Sequence, residues 1–315
     1  VEREEAGEEL NSWLSRRFAY LSSEEWATQI ASGRIEVEGR VAGAGHLLAS
    51  GDLVNFAFDP EFLAEPPVDT AFRILHEDGD FLVVDKPSNL PVHPAGRYFR
   101  NTLLSLLGSA FGTLHIVTRL DRETSGLVLF ARTKAARSHA QALLEAQSLV
   151  KGYLAIVHGN FPDRLEARGF LCTDGTSAVR KKRAFLLREN LPSQDCPPGA
   201  ETAMTDLRRI AGGTLAGAGP LSLIRASPST GRTHQIRATL CSLGFPLLGD
   251  KLYGLDEGLF IRQAEGRLNE GDLRRLLLPS QALHAELLSF PGLDGSPLSF
   301  KSEPPPAWPL AGLRE

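Results

Sequence analysis

Hydrophobic and polar positions change period along the chain, and each change marks an element. Between residues 24 and 31, Trp26 and Ile30 stand four apart, a spacing that places both on one face of a helix. Ser22 or Ser23 can cap that helix, and Glu25, three residues after Ser22, completes a capping-box pattern. Gly33 stops it. Alternation of period two then takes over in Ile35-Glu36-Val37-Glu38, turns at Gly39, and returns after Gly51-Asp52 as Val54, Phe56 and Phe58. A small α+β module is predicted within the first 58 residues.

Residues 59–70 contain three prolines and no clear period, so an extended linker is expected there. The rest, 71–315, reads as a larger domain. Its strong strands are 81–85, stopped by Lys86-Pro87, then 127–130 and 153–157; a helix around 134–147 starts at Thr133. Interleaved turns are expected, Ala211-Gly212-Gly213 among them. This order predicts an α+β domain whose sheet is mixed, with helices against it, rather than a doubly wound parallel sheet. Residues 159–200 and 261–280 show little pattern, and no long repeat recurs.

The longest apolar runs, at 81–84 and 127–130, fall far short of the roughly 20 residues that cross a bilayer. An acidic start lacks the features of a secretory signal, so the chain reads as cytoplasmic and without membrane contact. Cys172, Cys196 and Cys241 form no Cys-x-x-Cys pair, which points away from a disulfide scaffold and a cysteine-rich zinc site. The 34 basic and 38 acidic residues give a net charge of −4, at first sight poor for a polyanionic partner. The excess acid is local. Residues 1–58 hold 5 Lys or Arg against 10 Asp or Glu, whereas 59–315 hold 29 against 28.

Chemistry concentrates in a few places. In Thr118-Arg119-Leu120-Asp121-Arg122-Glu123-Thr124-Ser125-Gly126, a carboxylate between two arginines can stay ionised beside small turn residues that leave room for a ligand; the alternative is a structural ion pair in a tight turn. In Gly231-Arg232-Thr233-His234-Gln235-Ile236-Arg237, Thr233 can cap a helix with Ile236, Leu240 and Leu243 on its apolar face. Arg237 then points elsewhere and is the stronger functional candidate, since His234 has no companion at a metal-ligand spacing. Tyr153 opens a strand and either fills the core or stacks on a base and moves a proton. Arg180-Lys181-Lys182-Arg183 reads either as a solvated face or as contacts to RNA phosphates.

The clusters occur in an order that resembles the RluA-type pseudouridine synthases: Arg119 to Gly126, then Lys151-Gly152-Tyr153-Leu154-Ala155 with Gly159, then Gly231 to Arg237. Supporting matches are the earlier Phe81-Leu82-Val83-Val84-Asp85-Lys86-Pro87 with Val92-His93-Pro94, the later Gly249-Asp250-Lys251-Leu252-Tyr253-Gly254, and Leu283-His284-Ala285. The resemblance spans roughly 70–300. Residues 1–58 resemble an S4-type RNA-binding domain through Ser15-Arg16-Arg17, residues 30–39 and Gly51-Asp52. Two positions depart from these patterns: Glu38 stands where Asn is usual, and Thr118 where His is usual.

The resemblance implies a largely antiparallel pseudouridine synthase fold and isomerisation of specific uridines in structured RNA by base flipping. Ribosomal large-subunit RNA is the favoured substrate, with transfer RNA as the alternative and a non-catalytic RNA-binding module or a glycosidase as competing classes. Asp121 is implied as the catalytic carboxylate, acting at the sugar's anomeric carbon by attack or by elimination to a glycal, or by addition to the pyrimidine. Arg237 is implied as its ion-pair partner and Tyr153 as the stacking, proton-transferring aromatic. Substrate contacts fall to Arg119, Arg122, Thr124, Arg232, His234, Gln235 and Ile236. Backbone contacts fall to Arg16, Arg17, Arg34, Arg180, Lys181, Lys182 and Arg183. No metal or organic cofactor and no obligate protein partner is implied, and a monomer is expected.

Overall fold

A computed structural model describes residues 1–18, 21–57, 65–190 and 199–314. Phe58, Cys196 and part of the expected linker (59–64) lie outside the described residues. Contacts divide the chain into two units, Val1–Pro67 with His93–Ser105, and Val68–Val92 with Leu106–Glu315.

In the first unit, helix α1 (Leu10–Arg17) and helix α2 (Ser23–Ala31) accompany strands β1 (Ile35–Val37), β2 (Arg40–Val41) and β3 (Val54–Phe56), which form an antiparallel sheet in the order β2-β1-β3. Ser22 caps α2: its side chain accepts from the Glu25 amide and the Glu25 carboxylate accepts from the Ser22 amide, the reciprocal box expected from the sequence. Trp26 and Ile30 turn inward with Leu10, Leu14 and Ile35. Glu38 has φ 51°, a left-handed backbone that Asn tolerates better than Glu. Its carboxylate accepts from the Leu53 amide at 2.6 Å, which offsets part of that strain.

The second unit is built on one sheet. Its elements run β4 (Arg73–Glu77), β5 (Phe81–Lys86), α3 (Leu103–Phe111, entering from the first unit), β6 (His115–Ile116), β7 (Ser125–Ala131), α4 (Lys134–Glu145), β8 (Val150–His158), β9 (Arg164–Thr173), β10 (Arg183–Leu187), β11 (Glu201–Leu215), β12 (Gly219–Pro228), α5 (Gln235–Ser242), α6 (Gly258–Ala264), α7 (Glu270–Leu276), β13 (Leu283–Pro291) and β14 (Pro297–Lys301). The strand order is β10-β9-β11-β12-β8-β13-β7-β5-β4, with β14 on β13 and β6 on β7. The β13–β7 pair is parallel, and the other ladders are antiparallel. The fold is thus the mixed, mostly antiparallel α+β architecture expected.

Alternation along β8 sorts side chains to two faces. Ala155 and Val157 join Ile236, Ala238 and Leu240 of α5, whereas Leu154 and Ile156 join Leu221, Leu248 and Trp308 behind the sheet. On the α5 side, α4 covers the other half through Ala136 and Ala140 against Phe81, Val83, Leu127 and Leu129. Tyr153 packs against both front clusters and therefore occupies the seam between them.

One expected turn is absent. Ala211-Gly212-Gly213 lies inside β11, where the register shifts between Arg209 and Ala211. Here glycine marks close backbone approach: a Cβ on Gly213 would sit 2.2 Å from the Gly312 carbonyl oxygen. The chain reverses later, between Leu215 and Gly219.

Gly126 has the stricter requirement, because the parallel pair β13–β7 needs it. Its φ is +105°, and a Cβ there would meet the Ala285 carbonyl oxygen at 2.3 Å. Gly126→Ala is therefore expected to cost about 2–4 kcal/mol. Gly108→Ala, in α3 with nothing within 4 Å of the new methyl, is expected to stabilise by about 0.5–1 kcal/mol. Urea denaturation of the two variants checks both the size and the opposite signs.

Candidate active site

The loop before β7 carries the first cluster, and each of its members is anchored. Lys86, fully buried at the end of β5, donates through Nζ to the Pro87 carbonyl at 2.9 Å and the Arg122 carbonyl at 3.2 Å. Burial pushes its pKa down to about 7, against the opposing pull of Asp121. Glu123 accepts from Lys251 at 2.7 Å, Arg122 at 2.8 Å and Gln263 at 3.1 Å. Thr124 Oγ1 accepts from Gln281 at 2.7 Å. The Asp121 side chain projects from the loop that these contacts hold.

It meets Arg237. That guanidinium donates from Nη1 to Asp121 Oδ2 at 2.6 Å, and from Nε and Nη2 to the two Asp250 oxygens at 2.7 and 2.9 Å. Asp250 is buried and its Oδ1 also accepts the Leu252 and Tyr253 amides, each at 2.9 Å. Burial opposes ionisation of both carboxylates, but the Arg237 charge outweighs it and holds each below the usual carboxylate range. Burial likewise opposes the Arg237 charge, and the two carboxylates raise its pKa above the ordinary value. Gln281 also hydrogen-bonds the Asp121 side chain, which remains 31% exposed.

His234, not Thr233, occupies the N-cap of α5, with φ 56° and no side-chain capping bond. The left-handed turn swings its ring inward, whereas Thr233 Oγ1 accepts from Arg119 at 3.1 Å. His234 Nδ1 lies 2.9 Å from the Tyr253 hydroxyl, which accepts the Arg183 amide at 2.9 Å. That hydroxyl then has its proton for Nδ1, so the imidazole carries Nε2–H, an assignment made from the bonding pattern. Nε2 stands 3.9 Å from Asp121 Oδ1. Burial, partly opposed by Asp121, pushes the imidazole pKa down to about 4, so His234 is neutral at physiological pH.

Tyr153 lies in register with Ala285 on one side and Ala226 on the other, and Ala285 pairs with Gly126. A short row of neighbours thus connects the aromatic ring to the strand that leaves the Asp121 loop. Burial, with Asp121 adding to it, pushes the phenol up to about 12, so it stays protonated.

Several other sequence candidates have internal partners. Gln235 accepts from Thr230 Oγ1 at 2.8 Å and the Arg232 amide at 3.0 Å, and donates to the Met204 carbonyl and Thr205 Oγ1, each at 3.0 Å; it braces the loop before α5. Arg232 reaches the Thr202 carbonyl at 3.3 Å, and Ile236 is buried in the front core. Lys182 pairs with Glu257 at 2.6 Å and Arg183 with Glu201 at 2.7 Å, Lys181 lies over the Phe260 ring, and Arg180 is exposed. In the first unit Arg16 pairs with Glu8 at 2.7 Å, Arg17 with Glu5 at 2.6 Å, and Arg34 donates to Gln29 at 3.2 Å. Thr118 Oγ1 accepts the Leu129 amide at 2.9 Å. Asp250, Lys251 and Gln281 have no role in the sequence reading; the Gly249-Asp250-Lys251-Leu252-Tyr253-Gly254 motif is the available signal for the first two, and Gln281 has none. Among the described residues, no group of three His, Cys, Asp or Glu side chains could hold a metal ion.

Comparison with known proteins adds lineage to this geometry. Residues 80–242 match the RNA pseudouridylate synthase family. The mitochondrial tRNA pseudouridine(32) synthase of Saccharomyces cerevisiae is 32% identical over 76% of this chain and 49% of its own length. The ribosomal large subunit pseudouridine synthase D of Pseudomonas aeruginosa is 31% identical over 90% of this chain and 83% of its own. Among solved structures, human RNA pseudouridylate synthase domain containing 1 has a TM-score of 0.58 at 25% identity, covering 76% of this chain and 86% of that one. Relative lengths differ, and the chain spans only about half of several of these relatives, 49% of the yeast protein and 42% of a mouse relative. The match over 80–242 and the extended similarity to the Pseudomonas protein establish that this chain belongs to the RNA pseudouridylate synthase family.

Proposed function

We propose that this chain isomerises uridine to pseudouridine in folded RNA, with Asp121 as the catalytic carboxylate. The observation that carries this reading is the division of labour within the Asp121 carboxylate. Oδ2 is committed to Arg237 at 2.6 Å, while Oδ1 stands 3.9 Å from His234 Nε2, and Gln281 adds a side-chain hydrogen bond to the carboxylate. A base-flipped nucleotide would present its anomeric carbon to Oδ1. The C1′–N1 bond breaks, the uracil turns, and a C1′–C5 bond forms; C5 loses a proton and N1 gains one. Attack on C1′ and elimination to a glycal both use a fixed, ionised carboxylate at the sugar, and positioning contributes more than basicity.

No hydrogen bond is made by the Tyr153 hydroxyl among the described residues, and the partly buried ring at the seam of the two clusters is proposed to present an edge or face to the base. Because its phenol is held protonated, the role proposed for it is stacking with a relayed proton transfer from C5. Arg119 would fill the space left by the flipped nucleotide, with Arg122, Thr124, Arg232, His234, Gln235 and Ile236 shaping or bracing the pocket.

For the substrate we favour ribosomal large-subunit RNA. The supporting observation is the similarity to the Pseudomonas protein, which at 90% of this chain extends into the N-terminal unit. The transfer-RNA reading is supported by the yeast relative. The first unit is proposed as an S4-like RNA-binding domain. Phosphates would reach Arg16 and Arg17 by displacing Glu8 and Glu5, so this unit is expected to contribute less grip than its arginine count suggests.

Asp121→Asn is expected to abolish pseudouridine formation while leaving RNA affinity within about tenfold, because charge is lost at the transition state and backbone contacts persist. Chemical mapping of pseudouridine in RNA from cells lacking the protein, complemented with either form, checks this and identifies the target; restored modification by the variant would overturn the assignment. Tyr153→Phe is expected to retain RNA binding but to slow tritium release from C5-labelled uridine by about 100-fold or more. Near-normal release would remove the proton-transfer role.

A further inference from the structure

Lys151 lies two residues before Tyr153 on β8, and side chains two apart on a strand share a face. It therefore rises on the side of the sheet that carries Tyr153 and α5. Its Nζ comes within 3.4 Å of where a Cβ on Gly231 would sit, so the ammonium stands against the loop that leads into α5. The absence of a side chain at Gly231 leaves it that space.

Several other basic groups of this unit are engaged. Arg237, Lys251, Lys182 and Arg183 meet carboxylates, and Lys86 meets two carbonyls. The half-buried Lys151 side chain makes no hydrogen bond or ion pair among the described residues. Burial pushes its pKa down with no nearby charge opposing the shift, whereas the Asp121 charge is felt at Tyr153. A carboxylate, an aromatic ring and an unmatched ammonium are thus distinct features of one face, with the ammonium outside the reach of the carboxylate.

A partly desolvated cation without a countercharge is costly, and a bound anion removes the cost. We propose that Lys151 forms a phosphodiester subsite, its Nζ donating to a phosphate oxygen of the RNA strand beside the flipped uridine. The subsite rests on the reading of this chain as an RNA-modifying enzyme. It would fix the strand at one side of Tyr153 while Asp121 holds the sugar at the other.

The test is fluorescence anisotropy of a labelled oligouridine bound to the full chain across a series of KCl concentrations. Lys151→Gln is expected to weaken binding by about 3- to 10-fold and to reduce the slope of log affinity against log salt by about 0.7, the value for one phosphate contact on a single strand; Lys151→Arg should restore both. An unchanged slope, with or without weaker binding, would overturn the phosphate contact. If Lys151→Gln does not fold, amine-acylation footprinting of the unaltered chain decides the matter. Lys151 should be protected when oligouridine is added, and equal labelling with and without it would contradict the proposal. Neither readout depends on turnover. If the unaltered chain binds as described but forms no pseudouridine in cellular RNA, the catalytic reading fails and the subsite stands.

Discussion

A single guanidinium, held between two carboxylates, organises the site. Arg237 takes both oxygens of Asp250 and one of Asp121, and the three charged groups sit in surroundings that penalise each of them. Such an arrangement is favourable only when geometry is good and the remaining lone pairs are satisfied, and removing one partner of a buried pair typically costs about 3–5 kcal/mol. Here Asp250 is nearly saturated by Arg237 and two amides. Asp121 is the more accessible of the two, at 31% side-chain exposure: the buried carboxylate fixes the guanidinium, and the guanidinium fixes one oxygen of the accessible one.

The sheet supplies the frame for this contact. Its parallel pair β13–β7 brings Gly126 against Ala285, whose other neighbour is Tyr153. Beside it, His284 donates from Nε2 to the Ser302 carbonyl at 3.0 Å and accepts from Ser125 Oγ at 2.9 Å, an assignment that follows because a carbonyl can only accept. Gln281, just before β13, holds Thr124. The start of one strand thus locks the end of the Asp121 loop, and a movement of β13 would displace the carboxylate and the aromatic ring together.

Much of this was legible locally. The Ser22–Glu25 capping box, the Thr133 cap of α4 and the apolar runs of β5 and β7 depend on near neighbours, and sequence periodicity reports near neighbours well. The long β11–β12 hairpin was less visible, because Arg208, Arg209 and two glycines interrupt its alternation, and the bulge shifts its faces. At the site, Asp121, Arg237 and Tyr153 stand out through their motifs. Asp250 does not, since its importance lies in a bidentate contact across 13 residues. The Thr233 hydroxyl makes it the local candidate for the α5 cap; in the fold that hydroxyl accepts from Arg119, and the left-handed His234, its ring bonded to Tyr253, holds the cap position. Lys151 was visible as part of a motif, but its lack of a countercharge is a property of the assembled fold.

Arg237 holds Asp121 ionised against the burial that opposes its charge. A 13C-carboxyl NMR titration of aspartate-labelled protein, with the Asp121 resonance assigned by its loss in Asp121→Asn, measures this directly. The Asp121 carboxyl should stay ionised as pH falls and protonate only below the ordinary aspartate value of about 3.9. A carboxyl that protonates at or above that value would contradict it.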